Sequence, residues 1–438
     1  MTQRLPHGRT VPSSRIARLA RLGGLASGIA GGAMLEGARR LARGQDAPTP
    51  SLLLTPGNVA RLTAELARMR GAAMKLGQLM SMDTGDLLPP ELGAILARLR
   101  AEAHPMPPKQ LRAVLVANWG ADWLRRFARF EATPIAAASI GQVHRARTRD
   151  GRDLAVKVQY PGVRRSIDSD VANVGALIRL SGLLPREIDL APILEEARRQ
   201  LHEEADYLRE ADCLARFNAL LDGAPGFALP VPAPDLTTPE VLAMGFVEGS
   251  PIEALADAPQ ALRDSVVARL AALTLRELFE FRLMQTDPNF ANYLHDAAGD
   301  RVLLLDFGAT REIPKPLAEG YRSLLRSGLA GDRAGVEAAA RAIGLIGPGL
   351  APRHLEGVLE MAELAFADLR LPGLYDVAGR DIAGRLRDAG LALGAEAELG
   401  HVPPADTLFV QRKFGGIYLL AHRLRARIDM AALLRPWL

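Results

Sequence analysis

The sequence predicts a helix-rich α/β protein. Helices come first, a small sheet with one inserted helix follows, and a mostly helical half ends the chain. Two patterns support this order. Apolar residues recur at three- and four-residue steps before residue 104, whereas short strand-like apolar runs begin after residue 140. With 438 residues, of which 48% are hydrophobic and 24% charged, the chain is long enough for up to three ordinary domains.

The first fifty residues form a basic arm and a linker. All charged residues before Glu36 are arginines, which suits an anionic membrane surface, a nucleic-acid backbone or an organellar transit peptide. The uncharged stretch 22–35 is shorter than the ~20 residues that span a bilayer. Its Gly24, Gly28 and Gly32 share one helix face, which favours a membrane-associated or dimerising helix over nucleic-acid binding. The alternatives are a soluble helix that packs on these glycines and a disordered tail.

Residues 51–130 are predicted to be a helical extension. Asn58 is a suitable N-cap for a helix that places Lys75 and Gln78 one turn apart. Pro89-Pro90 ends this helix, and residues 91–103 form a second one. A helical block of about seventy residues, its connecting segments included, therefore precedes the first strand.

The sheet is expected to begin with two strands, Val143 to Arg147 and Leu154 to Gln159, joined by a turn at residues 149–151. A loop of small residues, 136–141, precedes them. We then expect one long helix from Ile193 to Leu221, and two further strands at Val241 to Phe246 and Val302 to Leu305.

Phosphoryl chemistry on ATP requires a cation for the phosphates, a group near the reacting phosphoryl, and two oxygen ligands for Mg²⁺. Four residues are candidates for these groups. Lys157 lies in an alternating strand, as the lysine of the kinase V-A-I-K strand does. Asp287 and Asn292 reproduce the D-x-x-x-x-N spacing of the kinase catalytic loop, and Asp306 opens a D-F-G sequence after an apolar strand. Alone, a strand lysine would more often simply reach solvent.

Sequence spacing alone does not identify the carboxylate partner of Lys157. The acidic helix around residue 206 offers five candidates: Glu203, Glu204, Asp206, Glu210 and Asp212. The sequence has no G-x-G-x-x-G loop, no His-Arg before Asp287 and no clear A-P-E, which argues against ordinary protein-kinase activity. Cys213, the single cysteine, is expected to be buried and inert.

The motifs together resemble the UbiB/AarF family of kinase-like ATPases, in the branch that supports coenzyme Q synthesis. The similar segments are RGAAMKLGQLMS, AAASIGQVH, VKVQYPGV, EEADYLREA, QTDPNFANY, LLDFGATRE and the late QRKFGGIYLLAHRLRARI. The resemblance spans nearly the whole chain. It implies a two-lobed protein-kinase-like fold whose N-terminal helical extension covers the active-site cleft and blocks peptide substrates.

The resemblance also implies roles for individual residues. Glu210 pairs with Lys157, and these two act in catalysis with Asp287. Asn292 and Asp306 hold Mg²⁺. The nucleotide contacts are Lys157, the alanine-rich loop and the hinge (Ala137, Ala138, Ser139, Gly245, Val247). A regulatory lid consists of the K-x-G-Q element and the E-x-D element, with Glu204 meeting Lys75 (Lys75, Gly77, Gln78, Glu204, Asp206).

The sequence thus predicts four segments: an arm with a glycine-spaced helix and linker (1–50), the K-x-G-Q extension (51–130), an N-lobe (131–247) and a C-lobe (248–438). The predicted function is an ATP-Mg-dependent ATPase that assists ubiquinone biosynthesis. The alternatives are a small-molecule or lipid kinase, and a nucleotide-sensing scaffold.

The expected partners are ATP, anionic membrane lipid, and quinone-biosynthesis proteins or intermediates, without nucleic acid. A homodimer would form through the glycine-spaced helix. The expected location is peripheral, on the cytoplasmic face of a bacterial inner membrane or the matrix face of a mitochondrial one.

Overall fold

The computed structural model describes residues 71–73, 75, 105–181, 191–396 and 403–438. The strands are β1 (Phe127–Phe130), β2 (Ala136–Ala137), β3 (Gly141–Thr148), β4 (Asp153–Gln159), β5 (Phe227–Ala228), β6 (Val241–Gly245), β7 (Ser250–Pro251), β8 (Leu283–Gln285), β9 (Tyr293–Asp296), β10 (Arg301–Leu304), β11 (Thr310–Glu312), β12 (Tyr375–Asp376) and β13 (Arg427–Ile428).

The helices are α1 (Pro108–Trp119), α2 (Val163–Ser181), α3 (Ala191–Glu204), α4 (Tyr207–Leu220), α5 (Gln260–Arg276), α6 (Lys315–Ala330), α7 (Arg333–Ala342), α8 (Pro352–Ala367), α9 (Ile382–Glu396), α10 (Ala405–Arg423) and α11 (Met430–Leu434). Within the described ranges, no helix combines the length and the apolar character needed to cross a membrane.

The chain divides into two compact units. Unit 1 holds residues up to Asp212 together with Val231–Phe246, and unit 2 holds Cys213–Pro230 and Val247–Leu438. In unit 1 the antiparallel strands run in the order β1-β3-β4-β6, and β2 pairs with β3. In unit 2 a sheet of order β5-β10-β9-β7 and the pair β11-β8 accompany seven helices of the described chain, α5 to α11.

The core of unit 1 packs α1 against the sheet. Val156 and Val158 are fully buried in β4, and an aromatic cluster closes one end of this core (Trp119, Trp123, Phe127, Phe130). The indole of Trp119 donates a hydrogen bond to the Leu236 carbonyl at 2.9 Å, so its polar atom is satisfied inside the core. This packing holds β4, the strand that carries Lys157.

Several predicted elements are confirmed. The hairpin is present as β3 and β4, the strand at 241 as β6, and the strand near 302 as β10, each within two residues of the expected bounds. Cys213 is buried, as expected. The basic arm, Gly77, Gln78 and the helix of residues 91–103 lie outside the described residues, and of the K-x-G-Q helix only 71–73 and 75 are described, all helical.

Two predicted elements are wrong. The loop 136–141 contains strand β2, because Ala136 and Ala137 pair with β3 and leave only a tight turn before Gly141. A side chain at Gly141 would overlap the Val158 carbonyl oxygen, so this turn requires glycine. The single helix 193–221 is interrupted at Ala205 and Asp206 and forms α3 and α4 instead.

A buried histidine lies in the same sheet. His144 Nδ1 is 2.7 Å from the Glu131 carbonyl oxygen, and His144 Nε2 is 2.8 Å from the side-chain amide nitrogen of Gln142. A carbonyl can only accept, so Nδ1 carries the proton and Nε2 accepts from Gln142, which requires the neutral ring. Burial lowers the pKa of His144, and the hydrogen bond to Glu131 opposes this shift only in part.

Because the folded pKa of His144 is lowered, the unfolded chain binds the proton more readily. Stability should therefore fall as the pH drops through the unfolded value of about 6.5. We expect the melting temperature to decrease between about pH 8 and pH 5, and to decrease less in His144→Gln. The exposed His422→Gln is the matched control. An unchanged pH slope in His144→Gln would contradict this assignment.

Candidate nucleotide site

Unit 1 contains a buried ion pair at the predicted phosphate-binding lysine. Lys157 Nζ donates to both carboxylate oxygens of Glu210, at 2.8 and 2.9 Å, and both residues are buried. The ammonium also lies 5.1 Å from the centroid of the Tyr207 ring. Of the five acidic candidates, Glu210 is thus the partner of Lys157, in agreement with the pairing that the family resemblance implies.

The break between α3 and α4 positions Glu210. The Asp206 carboxylate accepts the Arg209 backbone N–H at 3.2 Å, so Asp206 caps α4, and Glu210 falls in the first turn of that helix. The Gln159 side chain donates to the Ala205 carbonyl at 2.8 Å and satisfies the backbone at the break. A carboxylate in a first helical turn is favoured by the helix dipole.

A second lysine–glutamate pair joins the N-terminal helix to the alanine-rich turn. Lys75 Nζ donates to Glu204 at 2.5 Å, and the Ser139 hydroxyl donates to the other oxygen of the same carboxylate at 3.0 Å. A Cβ at Gly71 would lie 3.0 Å from the Ile140 side chain, so the helix that carries Lys75 approaches this turn closely. Lys75 and Glu204 therefore meet as the resemblance implies, with Ser139 as a third member.

The backbone N–H groups of the hinge segment, Gly245 to Val247, differ in their hydrogen-bond partners. The Gly245 N–H donates to the Val231 carbonyl at 2.8 Å, and the Phe246 N–H donates to the Asp153 carbonyl at 2.9 Å. Within the described part of the chain, the Val247 N–H donates no hydrogen bond. Unlike the Gly245 N–H, the Val247 N–H is therefore not engaged by a backbone carbonyl of the described residues.

Unit 2 contains the loop with Asp287 and Asn292. The loop follows β8 and ends in a short 3₁₀ turn, Phe290–Asn292, before β9. The Asn292 side-chain amide donates to the Asp287 carboxylate and to the Asp287 carbonyl, both at 3.2 Å. With its nitrogen engaged in this way, the Asn292 amide oxygen is oriented away from Asp287.

Backbone pairing brings the chain segment that carries Asp306 next to Asn292. Strands β9 and β10 pair, and the Leu305 N–H donates to the Asn292 carbonyl at 3.1 Å, one residue before Asp306. The Asp306 carboxylate accepts the Gly308 N–H at 2.9 Å. The buried Phe307 packs on Phe217 with ring centroids 4.8 Å apart, which anchors the D-F-G segment in the core of unit 2.

Amide and carboxylate oxygens are the hard donors that Mg²⁺ prefers. Asn292 presents a neutral oxygen and Asp306 a charged one, on positions fixed by a strand pair and a buried aromatic anchor. These two residues fit a Mg²⁺ ion.

Helix α10 contributes two residues that the sequence reasoning missed. Arg412 donates to the Asp287 carboxylate at 2.8 Å. Lys413 is buried and contacts Gln285 and Tyr293, each at 3.1 Å. Two signals pointed here: both residues lie in the family-like segment QRKFGGIYLLAHRLRARI, and Lys413 is one of only five lysines among 54 basic residues.

Comparison with known proteins shows the family of the chain. A model of the ABC1 atypical kinase-like domain matches residues 98–340. Atypical kinase COQ8, mitochondrial, from Saccharomyces cerevisiae is 37% identical over 431 residues, which cover 97% of this chain and 85% of the yeast protein. Atypical kinase COQ8B, mitochondrial, from Rattus norvegicus is 38% identical over 428 residues, which cover 96% of this chain and 80% of the rat protein.

A solved structure, that of the Rv3197–erythromycin complex from Mycobacterium tuberculosis, has a TM-score of 0.60 at 24% identity. The match covers 85% of this chain and 93% of that one, and it shows the fold alone.

The fold and the ordered motifs define an atypical kinase-like protein, so the predicted helix-rich kinase-like fold is confirmed. The chain belongs to the ABC1 atypical kinase-like family, together with the COQ8 proteins.

Breaking the Lys157–Glu210 pair should destabilise the protein strongly, because it removes the ammonium that two hydrogen bonds join to the buried Glu210 carboxylate. We expect Lys157→Met to lower the free energy of unfolding by about 3–5 kcal/mol, and Lys157→Met/Glu210→Gln to recover much of the loss. The exposed helical pair Arg341–Glu337 is the control, and Glu337→Gln should cost about 0.5 kcal/mol or less. Denaturant unfolding measures the free energy of unfolding of these three variants. If Lys157→Met lowers it as little as Glu337→Gln does, Lys157 and Glu210 do not form a buried ion pair.

Proposed function

We propose that this protein binds ATP with Mg²⁺, hydrolyses it, and thereby supports ubiquinone biosynthesis at a membrane. The observation that carries the proposal is the complete and ordered set of polar groups: Lys157 held by Glu210, Asp287 held by Arg412 and Asn292, and Asp306 at the end of a strand. A protein that had lost phosphoryl chemistry would have no need to keep all of them.

Each residue has a distinct task in this proposal. The Lys157 ammonium would bind phosphate oxygens, and Glu210 fixes its position through two hydrogen bonds. Asn292 and Asp306 would hold Mg²⁺, which offsets phosphate charge when bound. Asp287 would orient the attacking water, since Arg412 and Asn292 restrict its carboxylate to one orientation. Val247 and the turn with Ala137, Ala138 and Ser139 would contact the nucleotide.

The lack of a G-x-G-x-x-G loop and of a clear A-P-E motif in the sequence supports hydrolysis over transfer to a peptide. We propose that the helix with Lys75 restricts access, because it is tied to Ser139 through Glu204 and lies close to the turn at Ile140. In this proposal Gly77 and Gln78 belong to the same lid, and Asp206 contributes by capping the helix of Glu210.

The quinone role rests on the COQ8 relatives. The membrane role rests on the basic, glycine-spaced N-terminus. We propose anionic lipid and quinone-biosynthesis proteins as partners on these grounds, with peripheral attachment to the membrane.

Replacement of Asp306 by Asn removes a charged oxygen ligand with little change in size. We expect ATP hydrolysis in the presence of anionic liposomes to fall by about 100-fold or more, the order seen when a key electrostatic group is removed from an active site. Asp388→Asn, at an exposed carboxylate, is the matched control. Hydrolysis measured as phosphate release should be unaffected in the control; unaltered hydrolysis in Asp306→Asn would refute the site. With labelled ATP, label on a lipid instead of in free phosphate would indicate a lipid kinase.

A further inference from the structure

Lys413 occupies an unusual position for a charged residue. It lies in α10, is 2% exposed, and places its ammonium among three buried polar groups. The ammonium is 3.1 Å from the Gln285 amide oxygen, 3.1 Å from the Tyr293 hydroxyl and 3.4 Å from the Glu277 carboxylate. Burial alone would lower the pKa of Lys413, but Glu277 and Tyr293 more than offset this effect and raise it.

The two hydrogen-bond partners of Lys413 bracket the candidate catalytic loop. Gln285 ends β8, two residues before Asp287, and Tyr293 begins β9, directly after Asn292. Because Lys413 binds the amide oxygen of Gln285, the amide nitrogen is free to donate, and it does so to the Asp287 carbonyl at 2.8 Å. One ammonium therefore acts on both ends of the loop.

Glu277 is the third group around the Lys413 ammonium. It is the first residue of a π-helical turn, Glu277–Phe281, which follows α5. Such turns are rare and occur frequently at functional sites. Arg282, directly after this turn, adopts φ +49°, and β8 begins at the next residue. Glu277 itself has helical dihedrals, and the unusual backbone after it joins Glu277 to β8, the strand that ends in Gln285.

We propose that Lys413 is a positioning residue that fixes both ends of the loop Gln285–Tyr293, and so sets the spacing between Asp287 and Asn292. This proposal rests on the proposed function, in which those two residues serve ATP turnover. The competing explanation is that Lys413 only stabilises the fold. Burying an ion pair gives little or no net stability compared with apolar residues of similar volume, so fold stability alone is a weak reason for the pair.

The test must separate positioning from folding. Lys413→Met alone leaves Glu277 buried without a partner and is expected to unfold readily. Lys413→Met/Glu277→Gln removes both charges together and keeps the side-chain sizes. Tyr293→Phe is a milder variant that deletes one loop contact and keeps the ion pair. Lys315→Met, at an exposed lysine, is the control.

Two readouts are measured on the full chain: hydrogen exchange of the amides in residues 285–293, and ATP hydrolysis as a function of Mg²⁺ concentration. In the double variant we expect faster exchange confined to this loop, a kcat lower by about 100-fold as for a small misplacement of reacting groups, and a higher Mg²⁺ requirement. Tyr293→Phe should shift both readouts in the same direction by less, and Lys315→Met should shift neither.

A folded double variant with wild-type loop exchange and wild-type kcat would overturn the proposal. If the double variant does not fold, the same comparison is made on Tyr293→Phe, where wild-type exchange and kcat would overturn it. If the wild-type protein hydrolyses no ATP, the proposed function fails, while the exchange measurement still decides whether Lys413 fixes the loop.

Discussion

A buried charge must be compensated, and this constraint governs both units of the protein. Three of the five lysines are buried, Lys75, Lys157 and Lys413, and each meets a glutamate at 2.5 to 3.4 Å. Removing an ion from water costs several kcal/mol even after relaxation, and only a close partner with further hydrogen bonds offsets this cost. The chain uses arginine almost everywhere else. A compact ammonium is suited to a tight site that several oxygens share.

The need to pair buried charges explains two irregularities of the backbone. Glu204 and Glu210 pair with two different lysines, and the helix is interrupted between them, so that Glu204 ends α3 and Glu210 lies in the first turn of α4. Asp206 makes this interruption possible by capping α4. In unit 2 the π-helical turn at Glu277 and the loop from Gln285 to Tyr293 converge on a single ammonium. In both units, therefore, an irregular backbone segment lies beside a buried lysine–glutamate pair.

Much of this was predictable from sequence, because the motifs are local. The strands around Lys157 and Asp306 and the order of Lys157, Asp287, Asn292 and Asp306 follow from apolar patterns and fixed spacings. The strands β8, β9 and β11 were missed because they are only three or four residues long and have no clear alternation. The helix break was missed because Glu, Ala and Asp continue a helical pattern, and the cap becomes visible only in the fold.

The partners of α10 could not be predicted for a different reason. Arg412 is 125 residues from Asp287 and Lys413 is 128 residues from Gln285, and no periodicity connects such distant positions. Spacing likewise left Lys157 with five acidic candidates, and only the resemblance and then the structure selected Glu210. The resemblance supplied the distant partners of Lys157 and Lys75, whereas those of Arg412 and Lys413 came from the folded chain alone.

We propose that ATP turnover by this protein supports ubiquinone synthesis. The decisive measurement is the ubiquinone content of a deletion strain that carries either the wild-type gene or an Asp287→Asn variant shown to bind ATP. We expect the wild type to restore ubiquinone and the variant, whose amide cannot replace the carboxylate held by Arg412, to fail to restore it. Full restoration by the variant would refute a role for turnover and would indicate a nucleotide-sensing scaffold.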